Sequence, residues 1–347
     1  MFLAADLKGF FTTCKNRRTV PKGRLPKEAW QMVCSDHCGL PQTILVRQMN
    51  MLNQAQLIPK KWQYSETVQL DKQNFKLGPA SIRLINLLCP MGKIFFKTLW
   101  GSLTRPKYPF AYGFYQHRRR EQAILIQNCT RWKLRNLQDK QTDGNKAKFN
   151  HTSTLRDIAN AFPSMGHEAL AHMLQDLGDN GPLTRTLRHR YQDAVMIIRD
   201  PKVAGIVIRP GCGGLQGDST MPVMFSATYD PHVHNWIQNR KIQLSEHVIL
   251  ATDPVTGVTL EVGTTLYADD IQETNLTRNA AALDLVEQRS TKLLNDELNK
   301  LDMAQNMGKA ENMVCFRGPR SNVETAKTEE RNLAPNKGVT CAHAKYL

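Results

Sequence analysis

Asp269 and Asp270 stand side by side in TTLYADDIQ, directly behind a strand-like apolar run. Two carboxylates in one tight turn repel each other unless a cation or bound water offsets their charge. Taken alone, a solvated hairpin tip accounts for such a pair. A second stretch changes the reading: TSTLRDIANAF, 152–162, has the pattern of a short strand entering a turn, and it carries Asp157. If the two stretches are neighbouring strands of one sheet, Asp157 faces Asp269 and Asp270 across about 5 Å. Three converging carboxylates make a hard-oxygen site that suits two Mg²⁺ ions. Such a pair of metals activates a hydroxyl and neutralises a leaving pyrophosphate.

The elements around these residues are legible in outline. IPKKWQYSETVQLDKQN, 58–74, is mostly extended, with Val68 and Leu70 alternating with polar residues. ASIRLINLLCPMGKIFFKTLWGSL, 80–103, reads as strand, turn and helix. GHEALAHMLQDLG, 166–178, has helical periodicity at Leu170, Met173, Leu174 and Leu177 and is closed by Gly178. AGIVIRPGCGGLQGDSTMPVMF, 204–225, is a strand, a Gly-rich loop and then a helix. NAAALDLVEQRSTKLLNDELNKL, 279–301, is a long amphipathic helix with Leu283, Val286, Leu294, Leu298 and Leu301 near one stripe. GKAENMVCF returns as a strand.

The chain of 347 residues is 41% hydrophobic, which fits a globular protein with a buried core. Lys and Arg number 46 against 31 Asp and Glu, a net charge of +15, so a polyanionic partner is expected, nucleic acid first. From 105 to 148 the chain is strongly basic, with HRRR at 117–120 and aromatics at Tyr108, Phe110, Tyr112, Phe114, Tyr115 and Trp132. That mixture suits a nucleic-acid groove, and equally a solvated helix face over core aromatics. No apolar run of about 18 residues is present, so no membrane span is expected. The opening MFLAADLKG is interrupted by Asp6 and Lys8, which argues against a secretory signal. Eight cysteines without paired spacing read as reduced intracellular thiols. CSDHC, Cys34 to Cys38, has no second Cys/His pair at zinc-site spacing, so no zinc is expected there.

A basic chain, aspartates on separate strands and a Gly-rich loop between them together describe a nucleotide polymerase. The succession resembles the reverse transcriptase domain of non-LTR (LINE-type) retrotransposons. IPKKWQYSETVQLDKQN and IRLINLLCPMGKIFFK resemble its fingers segments, LRDIANAF its first palm motif, and LQGDSTMPVMF its Gln-Gly motif. LYADDI resembles the tyrosine-x-aspartate-aspartate motif, NMGKAENMVCF the lysine-bearing motif, and the terminal AKYL the opening of the next. The likeness runs from about Leu57 to Leu347.

The resemblance implies an α+β right hand, a palm of antiparallel sheet backed by helices with a fingers subdomain before it and the thumb missing. It divides the chain into an N-terminal extension, 1–50, fingers, 51–150, and palm, 151–347. It implies an RNA-directed DNA polymerase that transfers dNTPs onto a primer 3′-hydroxyl in target-primed retrotransposition. Mg²⁺ would be the cofactor, two ions with Mn²⁺ as a substitute, and an RNA template and DNA primer the partners. The place of action would be intracellular and nuclear. Asp157, Asp269 and Asp270 would hold the metals with the Ile158 carbonyl, and Lys309 would sit by the pyrophosphate and protonate it. Arg83 and Lys72 would contact the nucleotide, Gln216 and Gly217 would admit the template closely, and Tyr267 would brace the primer end. Phe162, five positions after Asp157, would exclude a ribose 2′-hydroxyl.

The sequence departs from the family in three places, one being QGDSTMP, where the family has a bulky pattern around Gln-Gly. Phe162-Pro163 stands where Phe-Asp is usual, and Arg83-Leu84-Ile85 where Arg-Pro-Ile is usual. An RNA-dependent RNA polymerase shares the palm, but its first motif carries a second Asp where this chain has Phe162. With nothing like an endonuclease upstream and no thumb after Leu347, the chain is expected to be a fragment. A silent relic that only binds nucleic acid is the alternative.

Overall fold

The computed structural model describes residues 2–13, 19–34, 39–72, 81–140, 149–178, 181–200, 203–317, 321–331 and 339–341. Two compact units emerge, each made of two stretches of chain. Unit 1 is Met1–Pro106 with Phe162–Phe225, and unit 2 is Lys107–Ala161 with Ser226–Leu347. The sequence reading cut the chain into three consecutive segments; the compact units are discontinuous. The zinc question at CSDHC, beyond Cys34, and the AKYL terminus lie outside the described residues.

Unit 1 opens with three helices, α1 (Ala4–Thr13), α2 (Lys27–Cys34) and α3 (Leu40–Gln54), where the sequence reading had a mixed extension. A short α4 (Lys60–Gln63) leads into β1 (Tyr64–Asp71), then β2 (Ile82–Leu87) and α5 (Pro90–Gly101). Pro90 opens α5, where a missing N–H costs nothing, and Phe95, Phe96 and Leu99 bury its apolar face. In unit 2, α6 (Arg120–Lys140) precedes β3 (Asn150–Arg156). After the short α7 (Ala161–Ser164), the chain builds α8 (His167–Asp176), α9 (Pro182–Gln192), β4 (Val195–Asp200) and β5 (Val203–Ile208) in unit 1. The unit 1 sheet runs β2-β1-β4-β5, with β1 and β4 parallel and the other pairs antiparallel.

The inner positions of β1 are polar. Val68 and Leu70 are 38% and 51% exposed, whereas Ser65 and Thr67 are buried. The hydroxyls of Ser65 and Thr67 both donate to Asn86 Oδ1 on β2, at 3.2 and 2.8 Å. Their hydrogen bonds replace the water lost on burial, so polar residues take the inner positions.

The long α10 (Met221–Gln243) leads to the small antiparallel pair β6 (Leu250–Thr252) and β7 (Thr259–Glu261). β8 (Thr264–Tyr267) and β9 (Asp270–Thr277) form a hairpin, followed by α11 (Ala280–Asn299), β10 (Glu311–Cys315), α12 (Ser321–Arg331) and β11 (Val339–Cys341). The unit 2 sheet runs β11-β10-β3-β9-β8, antiparallel except between β10 and β11. The whole expected stripe of α11, from Leu283 to Leu301, is buried. Its N-cap is Asn279, whose side chain accepts from the Ala282 N–H at 2.8 Å.

The centre of this sheet is polar rather than oily. On one face Ser153 and Thr274 hydroxyls meet at 2.9 Å, and Thr274 donates to Gln127 of α6 at 3.0 Å. On the other, Glu273 accepts from Arg156 Nε at 2.8 Å and pairs with Arg240 of α10 at 2.9 Å, and Ser290 of α11 donates to it at 2.7 Å. Both arginines and Glu273 have side chains at 0% exposure. Burial raises the Glu273 carboxyl, but Arg240 and then Arg156 outweigh it and bring it down to about 2.

Candidate active site

Register places the first pair of carboxylates. β3 and β9 run antiparallel with Thr154 opposite Glu273 and Arg156 opposite Ile271. Asp157 and Asp270 are therefore the next residues out on two adjacent strands, one strand spacing apart. Just beyond Asp157, Ile158 bridges to Gln305 and the Ala159 N–H donates to the Ala304 carbonyl at 2.9 Å. These contacts turn the chain away after β3 and leave Asp157 at its tip.

The β8–β9 hairpin closes with Tyr267 opposite Asp270, so Ala268 and Asp269 alone form the turn. Ala268 sits at φ +58°, a left-handed conformation that costs a non-glycine residue about 1 kcal/mol or more. The segment before α6 holds it there. Ala111 bridges Leu266 in parallel, the Tyr112 N–H donates to the Leu266 carbonyl and the Leu266 N–H to the Phe110 carbonyl, both at 2.8 Å. This brings Gly113 against the turn so closely that a Cβ there would lie 2.2 Å from the Ala268 nitrogen.

Lys309, in a short 3₁₀ turn at Met307–Lys309, places Nζ 2.9 Å from Asp157 Oδ2. Asn306 Nδ2 donates to the same oxygen at 2.9 Å, and the Asn306 N–H to the Asp157 carbonyl at 2.8 Å. Burial raises the Asp269 carboxyl, and the charge of Asp157 raises it further. Asp270 is pushed up to about 6, by burial first, then by Asp269 and Asp157, against Lys309 and Arg120. The Tyr229 phenol, fully buried on α10, is raised well above its ordinary range by burial and then by Asp269, Asp230, Asp270 and Asp157. The three aspartates thus share one field of excess negative charge. A cavity of about 460 Å³ opens beside them, with Asp157, Asp270, Tyr267, Lys309 and Arg120 among its walls.

Of the residues singled out in the sequence, Asp157, Ile158, Tyr267, Asp269, Asp270 and Lys309 belong to unit 2 and gather in this way. Lys72, Arg83, Phe162, Gln216 and Gly217 belong to unit 1. Arg83 lies exposed on β2 opposite Leu70, and Lys72 follows β1, its N–H donating to the Ser81 carbonyl at 2.8 Å. The Phe162 ring packs 4.7 Å from that of Phe225. The Gln216 carbonyl accepts from the Asn86 N–H at 2.7 Å, and at Gly217, φ +111°, a Cβ would lie 2.5 Å from the Asn86 carbonyl oxygen. The close approach that needs this glycine is therefore to β2 of the chain itself.

Sequence reasoning missed Asn306, Tyr229 and Arg120 as members of the site. Arg120 stands in the HRRR run and Asn306 heads NMGKAENMVCF, though neither is singled out by its residue type; Tyr229 carries no local signal. Two of the six aromatics expected in a groove are core, and two more are half-buried. Phe110 and Tyr115 are buried, Tyr108 stacks on Phe110 at 5.4 Å, and Arg118 bonds the Tyr108 and Ala111 carbonyls. Trp132 and Phe114 alone among the six are more than a third exposed.

The donor chemistry here fits a divalent cation: hard carboxylate oxygens whose mutual repulsion a cation would relieve. The packing is less complete, because among the described residues no three His, Cys, Asp or Glu side chains close around one point to hold a metal. Lys309 supplies the counter-charge at Asp157 instead.

No protein-family model and no curated protein matches this sequence. Among solved structures, similarity is found to telomerases. For apo telomerase from Candida tropicalis truncated from its C-terminal domain, identity is 11%, the TM-score 0.49, and the match covers 86% of this chain and 59% of that one. For telomerase from Candida albicans in complex with a TWJ fragment of telomeric RNA, identity is 12%, the TM-score 0.47, and coverage 75% of this chain and 44% of that one. The chain thus spans less than two thirds of the length of either. Among the described residues, no helix is long and apolar enough to cross a membrane.

Proposed function

We propose that the chain is the reverse transcriptase core of a non-LTR retrotransposon, joining dNTPs to a DNA primer against an RNA template. The observation that carries this is the β3–β9 register, which sets Asp157 beside the Asp269–Asp270 turn although the segments are more than a hundred residues apart in sequence. Asp157, Asp269, Asp270 and the Ile158 carbonyl would hold two Mg²⁺ or Mn²⁺ ions. Such ions, when bound, polarise a primer hydroxyl and neutralise charge at the phosphate. Lys309 then leaves Asp157 for the triphosphate and delivers a proton to the departing pyrophosphate. Asn306, bonded to both the side chain and the backbone of Asp157, keeps that carboxylate aimed as Lys309 moves. Tyr267 and the cavity behind it receive the primer end. The action is nuclear.

The absence of a closed three-ligand cluster among the described residues favours a second reading, a relic that binds nucleic acid without chemistry. Primer extension on an RNA template with Mg²⁺ separates the two. The polymerase reading expects at least short extension that Asp157→Asn and Asp269→Asn abolish. No extension, with binding intact, establishes the relic.

A further inference from the structure

A second cluster lies toward the opposite end of β3. His151 is 2% exposed, and its Nδ1 has no hydrogen-bond partner. Burial and then three positive charges, those of Arg135, Arg131 and Arg317, hold its imidazole down at about 4. The geometry explains the gathering: Arg131 and Arg135 are one turn apart on α6, and Cys315, opposite His151 on β10, brings Arg317 close behind. The partners of Arg131 are neutral, Asn128 Oδ1 at 2.8 Å and Met313 Sδ at 3.9 Å. Among the described residues none of the three arginines pairs with a carboxylate. Beside them on α6, Trp132 is 64% exposed and Lys133 is exposed. Like charges gathered without counter-charge are costly in the absence of an anion, and an exposed indole among them offers a stacking face.

We propose that Arg131, Arg135, Arg317 and Trp132 form a docking site for a nucleic-acid strand, the guanidinium groups on backbone phosphates and the indole against a base. Charge complementarity commits the site to a polyanion, and the exposed Trp132 selects one that carries bases. The polymerase reading adds only the register. Asp157 lies six residues beyond His151, about 20 Å at the rise of a strand, which matches about six nucleotides of duplex.

The test is binding of a labelled RNA–DNA hybrid to the whole chain by fluorescence anisotropy across a salt series. Arg135→Ala/Arg317→Ala changes exposed side chains only, and a thermal melt checks its fold. The expected result is a log Kd against log salt slope shallower by about 1.8, and affinity about tenfold or more weaker at 0.1 M salt. Trp132→Ala should weaken a single strand about fivefold or more. An unchanged slope and affinity in the double variant overturns the proposal. So does loss of inorganic phosphate binding with hybrid binding intact, which would mark a free-anion site. Binding needs no catalysis, so a chain that fails to extend primers leaves this result standing. Phosphate-ethylation interference about six nucleotides from the primer end reads the register separately.

Discussion

At the scale of single residues, charge is concentrated where the fold tolerates it least. Asp270, raised to about 6, is a carboxylate whose ionised form the folded state disfavours. Its sign is therefore that of a destabilising group above that value, relieved as pH falls through 6 toward the ordinary carboxylate range. Asp270→Asn should raise the melting midpoint at pH 7.5 by about 1–2 °C and change little at pH 4.5; differential scanning fluorimetry without divalent ions checks both. Phe162 packs against Phe225 at 4.7 Å, and the proposed function adds sugar discrimination. In a primer-extension assay, Phe162→Ala should raise ribonucleotide incorporation relative to deoxyribonucleotide. Equal loss on both sugars would leave only the packing role. The aspartates were legible because their chemistry is written in residue type and spacing. Asn306 was not, because a hydrogen bond to Asp157 from 149 residues away depends on where β10 returns.

Among elements, the unit 2 sheet depends on the buried Arg156–Glu273–Arg240 triad. Removing one member of such a group strands the others as uncompensated charges in a dry interior. Glu273→Gln should cost about 3–5 kcal/mol, read as a lower urea midpoint. With its carboxyl depressed to about 2, Glu273 contributes fully above the ordinary carboxylate range, and the contribution drains away as pH falls through 2. Strands β1, β2, β3, β5, β8 and β10 are legible from local pattern and turn residues, as are the helices α8 and α11, whereas β4, β6, β7 and β11 are not. Alternation in β1 marks the strand but not its inner face, since Val68 and Leu70 are exposed. Burial of Ser65 and Thr67 is decided by Asn86 on the next strand, which local pattern does not contain.

For the whole molecule, discontinuity is the governing fact. β1 and β2 are made before Pro106, but the partner strands β4 and β5 arrive only after Phe162. A fragment ending at Pro106 keeps only the β1–β2 hairpin of its sheet, and an isolated two-stranded hairpin is marginal in water. It should show no cooperative thermal transition by circular dichroism. A sharp transition in that fragment would mean its helices form a self-sufficient unit. The sequence could not disclose this division, because a linear reading assigns neighbours in the chain to one body.

The contact of Gly113 with the Ala268 turn has a consequence for inheritance. Glycine codons reach larger residues by a single base change, and any side chain at 113 collides with the backbone that carries Asp269. Copies of this gene could decay through that codon while every acidic residue of the motif stayed intact. Counting acidic residues alone would not detect that change.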